Sequence, residues 1–200
     1  MPAPTEVSQR CDPRLARSRQ RVVEAAVALL REHGNAGLTV EAVSVRSGVA
    51  KTTIYRQFTG RDELHLAAFQ SLGAPTPPDD SGDIVKDITH WLQRLNDSVQ
   101  RADLGSLIPT LVDAAERSPH FSELVHATLA QRRALLLDRL RSAIRAGQLA
   151  GDLDLDMVAT QLVGPVFYRR FISRQAVSRP FVARLVAAVL TPLVCPACSL

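Results

Sequence analysis

Leu38 to Glu63 reads LTVEAVSVRSGVAKTTIYRQFTGRDE. The stretch predicts two short helices joined by a tight turn, with another helix starting at once. Thr39 stands where an N-cap belongs, able to accept from an orphan backbone N–H, and Glu41 in the first turn suits the helix dipole. Leu38, Ala42, Val43 and Val49 are spaced to face inward. Gly48 is a natural turn residue, since it tolerates backbone angles that side chains disfavour. Lys51 to Phe58 then predicts a short helix with Ile54 and Phe58 buried, four residues apart on one face. Its other face carries Lys51, Thr52, Thr53, Tyr55, Arg56 and Gln57. A helix packed on one side and lined with hydrogen-bond donors on the other suits the major groove of DNA.

Working outward, residues 1–13 predict a disordered arm, and Arg10 to Arg21 a basic approach able to touch phosphates. From about Arg17 to His33, Val22, Val23, Ala26, Leu29 and Leu30 recur with helical spacing, and Gly34 is placed to end that helix. A fourth helix runs from about Arg61 to Leu72, burying Leu64, Leu66, Ala67, Ala68 and Phe69. GAPTPPDDSG, Gly73 to Gly82, cannot continue a helix. It marks a linker between a first domain at 14–72 and a second at 83–194, with a tail at 195–200.

In the second domain Ile84, Ile88, Trp91, Leu92, Leu95 and Val99 form one apolar face of a helix over about Asp83 to Arg101. A helix over Asp103 to Arg117 carries Pro109, which should kink it. Ser118-Pro119 opens a long helix to Ala146, because proline is favoured in a first turn. Leu153 to Arg174, interrupted by Gly164-Pro165, and Arg179 to Leu193 complete the chain. The expected class is all-α, with about nine helices: a three-helix N-terminal domain containing the paired short helices, then a larger helical domain.

Composition agrees. Of 200 residues, 46% are hydrophobic and only 4% aromatic, so Ala, Leu and Val must build the core. The net charge of +4 is uneven. Between Arg10 and Arg61 ten basic residues face four acids, which leaves the rest of the chain at −2. A basic N-terminal third is the electrostatic footprint of a protein that meets phosphate. No apolar leader is visible and no stretch approaches the roughly 20 apolar residues of a membrane span, so a cytoplasmic location is expected.

The paired short helices resemble the helix-turn-helix of the tetracycline-repressor (TetR) family. The shared run is Thr39-Val40-Glu41-Ala42-Val43, Gly48-Val49-Ala50-Lys51, Thr53-Ile54-Tyr55, Phe58 and Arg61-Asp62-Glu63-Leu64. Ala50 departs from the serine usual at that cap, and Thr52 from a small residue. Arg132-Arg133-Ala134, Gly147-Gln148-Leu149, Asp152-Leu153-Asp154 and Leu162 to Arg169 are similar to one group of TetR C-terminal domains. The resemblance implies a homodimer on a double-stranded operator, an effector pocket in the C-terminal domain, and a final helix pair that forms an intersubunit four-helix bundle. It implies phosphate contacts by Thr39, Tyr55 and Arg61.

From the residues themselves, Lys51 is placed to reach a guanine edge or a phosphate, Thr52 and Thr53 to meet base edges or a thymine methyl, Arg56 lies on the same face, and Arg46 is placed to reach base or phosphate. For a pocket holding an unidentified small-molecule effector, helix faces nominate Trp91, Leu95, Leu111, Val125, Arg132, Leu136 and Phe167. Arg132 shares an arc with Phe121, Val125, Leu136 and Ala143, where an arginine must pair or snorkel.

Cys195 and Cys198 have redox-motif spacing but sit in a tail, and no histidines have metal-ligand spacing. No nucleophile elbow, phosphate loop or zinc motif occurs, so no catalytic residue, metal or cofactor is expected. The expectation is a transcriptional repressor released from its operator by an effector. The alternative is a helical small-molecule-binding or catalytic protein whose helix-turn-helix packs or recruits a partner.

Overall fold

The computed structural model describes residues 13–72 and 76–194, without the side chains of 102–104. The chain divides into two compact units, Met1–Ser71 and Leu72–Leu200. Among the described residues the fold is all-α. Among them the one β-bridge is antiparallel, between Leu149 and Val194.

The first unit holds α1 (Pro13–Gly37), α2 (Val40–Ser47), α3 (Lys51–Gln57) and α4 (Arg61–Leu72). Helix α1 begins four residues before the predicted Arg17. Proline suits a first turn and arginine is a good helix former, so the basic approach is itself helical. Gly34 breaks it as expected, at φ 64° and ψ −164°, and helical structure resumes to Gly37. Thr39 caps α2, its Oγ1 accepting from the Ala42 N–H at 3.1 Å. Gly48 takes a left-handed φ of 65° at the turn. Ala50 precedes α3 with no side-chain cap bond. Val22, Ala26, Leu30, Leu38, Val43, Ile54 and Phe58 are buried. Helix α4 buries the predicted apolar residues and also His65, which is 1% exposed.

The second unit holds α5 (Ile84–Gln100), α6 (Ala102–Arg117), α7 (Pro119–Arg145), α8 (Leu155–Phe167) and α9 (Arg179–Leu190). Asp83, Ser118, Asp154 and Ser178 cap α5, α7, α8 and α9 with side-chain oxygens. The core gathers Ile84, Ile88 and Leu92 of α5, Leu136, Leu140 and Ala143 of α7, Val158, Leu162 and Val166 of α8, and Val182, Val186 and Leu190 of α9.

Two predicted spans change. The helix expected over Leu153 to Arg174 is α8 followed by one π-helical turn, Tyr168–Ile172. Pro165 lacks the N–H that would bond one turn back, and the backbone widens just after it. The last helix ends at Leu190 and continues as a 3₁₀ turn through Leu193.

Residues 76–82, read from sequence as linker, are fastened within the second unit. The Trp91 indole donates to the Thr76 carbonyl at 3.0 Å, Arg94 to Asp79 at 3.1 Å, and Gln148 to the Gly82 carbonyl at 2.9 Å. Arg139 donates to the Asp79 carbonyl and to the carboxylate of Asp87, each at 2.8 Å. The arm at 1–12 and the tail at 195–200 lie outside the described residues.

Candidate nucleic-acid interface

Helix α3 stands on a buried footing. Ile54 is 0% and Phe58 2% exposed, while Lys51, Thr52, Tyr55 and Arg56 are exposed and Thr53 is half-buried. The footing is held from outside as well. The Arg19 guanidinium lies 4.4 Å from the centre of the Phe58 ring and donates to the Gln57 carbonyl at the end of α3. Arg21 donates to the Ser47 carbonyl at the end of α2, beside Gly48. A side chain at Gly48 would meet the Arg21 guanidinium 2.9 Å away. Ser44 Oγ donates to the Val49 carbonyl at 2.8 Å and fastens the turn. Arg19 and Arg21, read from sequence as part of a basic approach to the first helix, bind backbone carbonyls at the ends of α3 and α2.

The charged candidates divide by what they already bind. Arg46 grips Glu32 of α1 with two nitrogens, at 2.5 and 2.6 Å. That pairing raises the guanidinium's pKa and lowers the Glu32 carboxyl's. Lys51 Nζ lies 3.1 Å from Glu41 Oε1. Arg61 donates to the backbone carbonyls of Leu38 and Asn35, at 2.8 and 2.7 Å, and ties the start of α4 to the segment before α2. The Thr39 hydroxyl is the cap of α2. No carboxylate among the described residues pairs with Arg56. Its exposed guanidinium and the neighbouring Thr52 and Tyr55 form the donor face that α3 offers to solvent.

The residues nominated for an effector pocket fall into two groups. Leu136 is buried in the main core of the second unit, against which Trp91, Leu95 and Phe167 pack half-buried. Leu111 and Val125 are buried on α6 and α7 outside that cluster. Trp91 spends its indole N–H on the Thr76 carbonyl. Phe167 lies 5.8 Å from Phe171, ring centre to centre. Arg132 is half-buried, and burial lowers its pKa.

Arg139, seven residues on, is the more buried arginine and was not singled out in the sequence. Its guanidinium meets Asp87, whose side chain is 1% exposed. Burial alone would raise the Asp87 pKa, but hydrogen bonds from Ser81 and Arg139 outweigh it and hold the carboxyl below its ordinary value. An arginine on an apolar arc was the available signal. Its partner lies 52 residues away in the chain, so spacing could not choose between Arg132 and Arg139.

Comparison with known proteins agrees with this geometry. Residues 22–68 match the model of "Bacterial regulatory proteins, tetR family", and residues 78–189 match "Tetracyclin repressor-like, C-terminal domain". The chain is 28% identical over 181 residues to the uncharacterised HTH-type transcriptional regulator YdeS of Bacillus subtilis, covering 90% of this chain and 91% of that protein. It is 29% identical over 168 residues to a second such regulator, Rv1556 of Mycobacterium tuberculosis, covering 82% and 81% of the two chains. Among solved structures, the TetR family transcription regulator SCO0332 superposes with a TM-score of 0.77 at 32% identity, covering 90% of this chain and 99% of that one. SmeT, the repressor of the Stenotrophomonas maltophilia multidrug efflux pump SmeDEF, shares the fold at a TM-score of 0.61 and 19% identity, over 89% of this chain and 91% of that one.

Proposed function

The chain belongs to the tetR family of bacterial regulatory proteins and is a helix-turn-helix DNA-binding regulator, and from that premise we propose that it is a homodimeric repressor released from a palindromic operator by a small-molecule effector. Residues 14–72 read DNA, and residues 83–194 bind the effector and the second copy. The observation that carries the reading is α3 itself, a seven-residue helix seated on buried Ile54 and Phe58 with its donor side chains outward. Such a helix enters a major groove, and two related by a dimer axis read half-sites about one helical turn apart or a multiple of it. Within each half-site Thr52, Thr53 and Lys51 read bases. Arg56, Tyr55 and Thr39 meet the backbone, and Arg46 and Arg61 brace the unit from behind. As a DNA-binding regulator it would work in the cytoplasm, where bacterial DNA lies.

Dimerisation has support in the second unit. Gly164 lies on the exposed face of α8 with Met157 and Gln161, next to exposed Tyr168 of the π-helical turn, and a side chain built there would meet nothing within 4 Å. Helix α9 exposes Ala183, Ala187 and Ala188. Small residues on two exposed faces let another pair of helices approach closely. An effector that favours the non-binding dimer needs a coupling of only about 1–3 kcal/mol to change operator affinity roughly 5–150-fold.

The test is selection of bound duplexes from a random pool at two salt concentrations. An enriched inverted repeat whose affinity falls steeply with salt is the expected result. No enrichment by a folded dimer shown by mass spectrometry to carry no ligand would refute the reading in favour of a helical small-molecule-binding protein. Arg132→Ala checks the effector site: altered effector response with operator affinity kept is expected, and an unchanged response would remove Arg132 from it.

A further inference from the structure

Two side chains from consecutive helices stand side by side on the exposed surface of the first unit. Lys51 is the first residue of α3, and Glu41 lies in the first turn of α2. The ammonium and the carboxylate are 3.1 Å apart, with side chains 52% and 62% exposed. Their positions are fixed from below. Thr39 caps α2, the Ser44–Val49 bond closes the turn, and Arg21 holds the end of α2. Glu41's own backbone N–H and Lys51 keep its carboxyl below the usual range, so the group is ionised at neutral pH.

A carboxylate beside a helix that enters DNA is a liability against phosphates, which it repels. Its repulsion is offset where the DNA presents a donor. In the major groove the donors are cytosine N4 and adenine N6. A lysine in the same place needs an acceptor, and guanine offers two adjacent ones, O6 and N7. The edge of a G·C pair therefore sets acceptors beside a donor, the complement of an ammonium beside a carboxylate. An A·T pair places its donor, adenine N6, between N7 and thymine O4, so an ammonium beside the carboxylate reaches one acceptor there and not two adjacent ones.

We propose that Glu41 and Lys51 act together as a base-reading pair for one G·C pair in each half-site, Lys51 donating to guanine and Glu41 accepting from cytosine N4. This rests on the DNA-binding reading above and adds Glu41 as a specificity-determining residue. Opening the Glu41–Lys51 contact to admit the base pair exchanges one ion pair for two charge-assisted hydrogen bonds. Bare phosphate satisfies the lysine alone and leaves the carboxylate repelled. The pair thereby widens the gap between operator and random DNA.

The experiment selects duplexes from a random pool with the full-length wild type and with Glu41→Ala, Glu41→Gln and Lys51→Ala. Each variant is first matched to wild type in helicity and melting midpoint. Affinities are then measured on the selected operator with every half-site position changed in turn. Wild type is expected to require G·C at one position. Glu41→Ala should cut discrimination there about tenfold and leave other positions intact. Lys51→Ala should loosen the same position. Glu41→Gln should shift it toward A·T, since a glutamine amide bonds adenine N6 and N7. The proposal is overturned if Glu41→Ala tightens operator and random DNA alike with unchanged base preferences, which is the signature of a carboxylate that only repels phosphate. It is also overturned if the Glu41 and Lys51 variants loosen different positions. A wild type that selects no sequence overturns the regulator reading itself, a result distinguishable from either.

Discussion

Arg56 and Arg46 are both arginines of the helix-turn-helix, yet they stand in different electrostatic states. Arg46 is engaged by Glu32 through two bonds, whereas no carboxylate among the described residues meets Arg56. A phosphate that recruits Arg46 must first take it from its partner; Arg56 is ready. Arg56→Ala should therefore weaken operator and random DNA alike and reduce the slope of log affinity against log salt by about one. Arg46→Ala should leave that slope near wild type, and titrations at several salt concentrations decide it. His65 poses a different residue-scale question. It is 1% exposed, and neither ring nitrogen has a hydrogen-bond partner among the described residues. Burial, helped by the Arg61 charge, lowers its pKa from 6.5 to about 4. Between those values the unfolded chain binds the proton and the folded chain refuses it. Stability is then complete above about 6.5 and is lost as pH falls toward 4, by at most roughly 1.4 kcal/mol per pH unit for one proton. His65→Leu should flatten that window in denaturant titrations run from pH 4 to 7. An unchanged pH profile would show that the imidazole is hydrated or paired in solution.

Helices α8 and α9 argue at the scale of elements. Gly164 is not required by the packing of its own chain, since open space surrounds it. Glycine in a helix interior costs about 1 kcal/mol relative to alanine, and on the proposed dimer face it leaves room for a neighbouring helix. Gly164→Arg should leave helicity and melting of the second unit intact, shift the protein from dimer to monomer in sedimentation, and weaken operator binding with it. A dimer that survives would place the contact elsewhere. The same helices show what sequence could tell. The starts read from sequence, Leu153 and Arg179, fall within two residues of the first residues of α8 and α9, where Asp154 and Ser178 supply the caps. The π-helical turn after Pro165 was not legible, because Tyr168 to Ile172 has the composition of ordinary helix and only the backbone's answer to the missing N–H distinguishes it. In the helix-turn-helix Leu38, Val43, Val49, Ile54 and Phe58 were legible as inward, whereas Val40 and Ser47, also buried, were not. What Arg19, Arg21 and Arg61 do was not, because their partners are backbone carbonyls distant in the chain, and a carbonyl leaves no mark in a sequence.

Across the second unit as a whole, Arg139 connects more of the chain than any nearby residue suggests. It reaches Asp79 and Asp80 before α5, Asp87 within α5, and Gln148 after α7. Arg139→Ala would strand the Asp87 carboxylate in a buried setting, a change expected to cost about 3–5 kcal/mol. Arg139→Met combined with Asp87→Leu, which removes both charges, should recover most of that loss. Equal destabilisation by the single and double variants in urea melts would mean that packing, not the stranded charge, is what matters. Because the Asp87 pKa lies below its ordinary value, the stabilisation from this pair is present above the unfolded value near 3.8 and is lost as pH falls through the folded one. The first unit uses its arginines differently. Arg19, Arg21 and Arg61 grip the carbonyls of Gln57, Ser47, Leu38 and Asn35, groups that every residue type supplies. The outward side chains of α3 take no part in that grip. The helix is thus a cassette in a fixed socket: Lys51, Thr52 and Thr53 can be rewritten, by a lineage under selection or by an engineer wanting a new operator, while the mounting stays as it is.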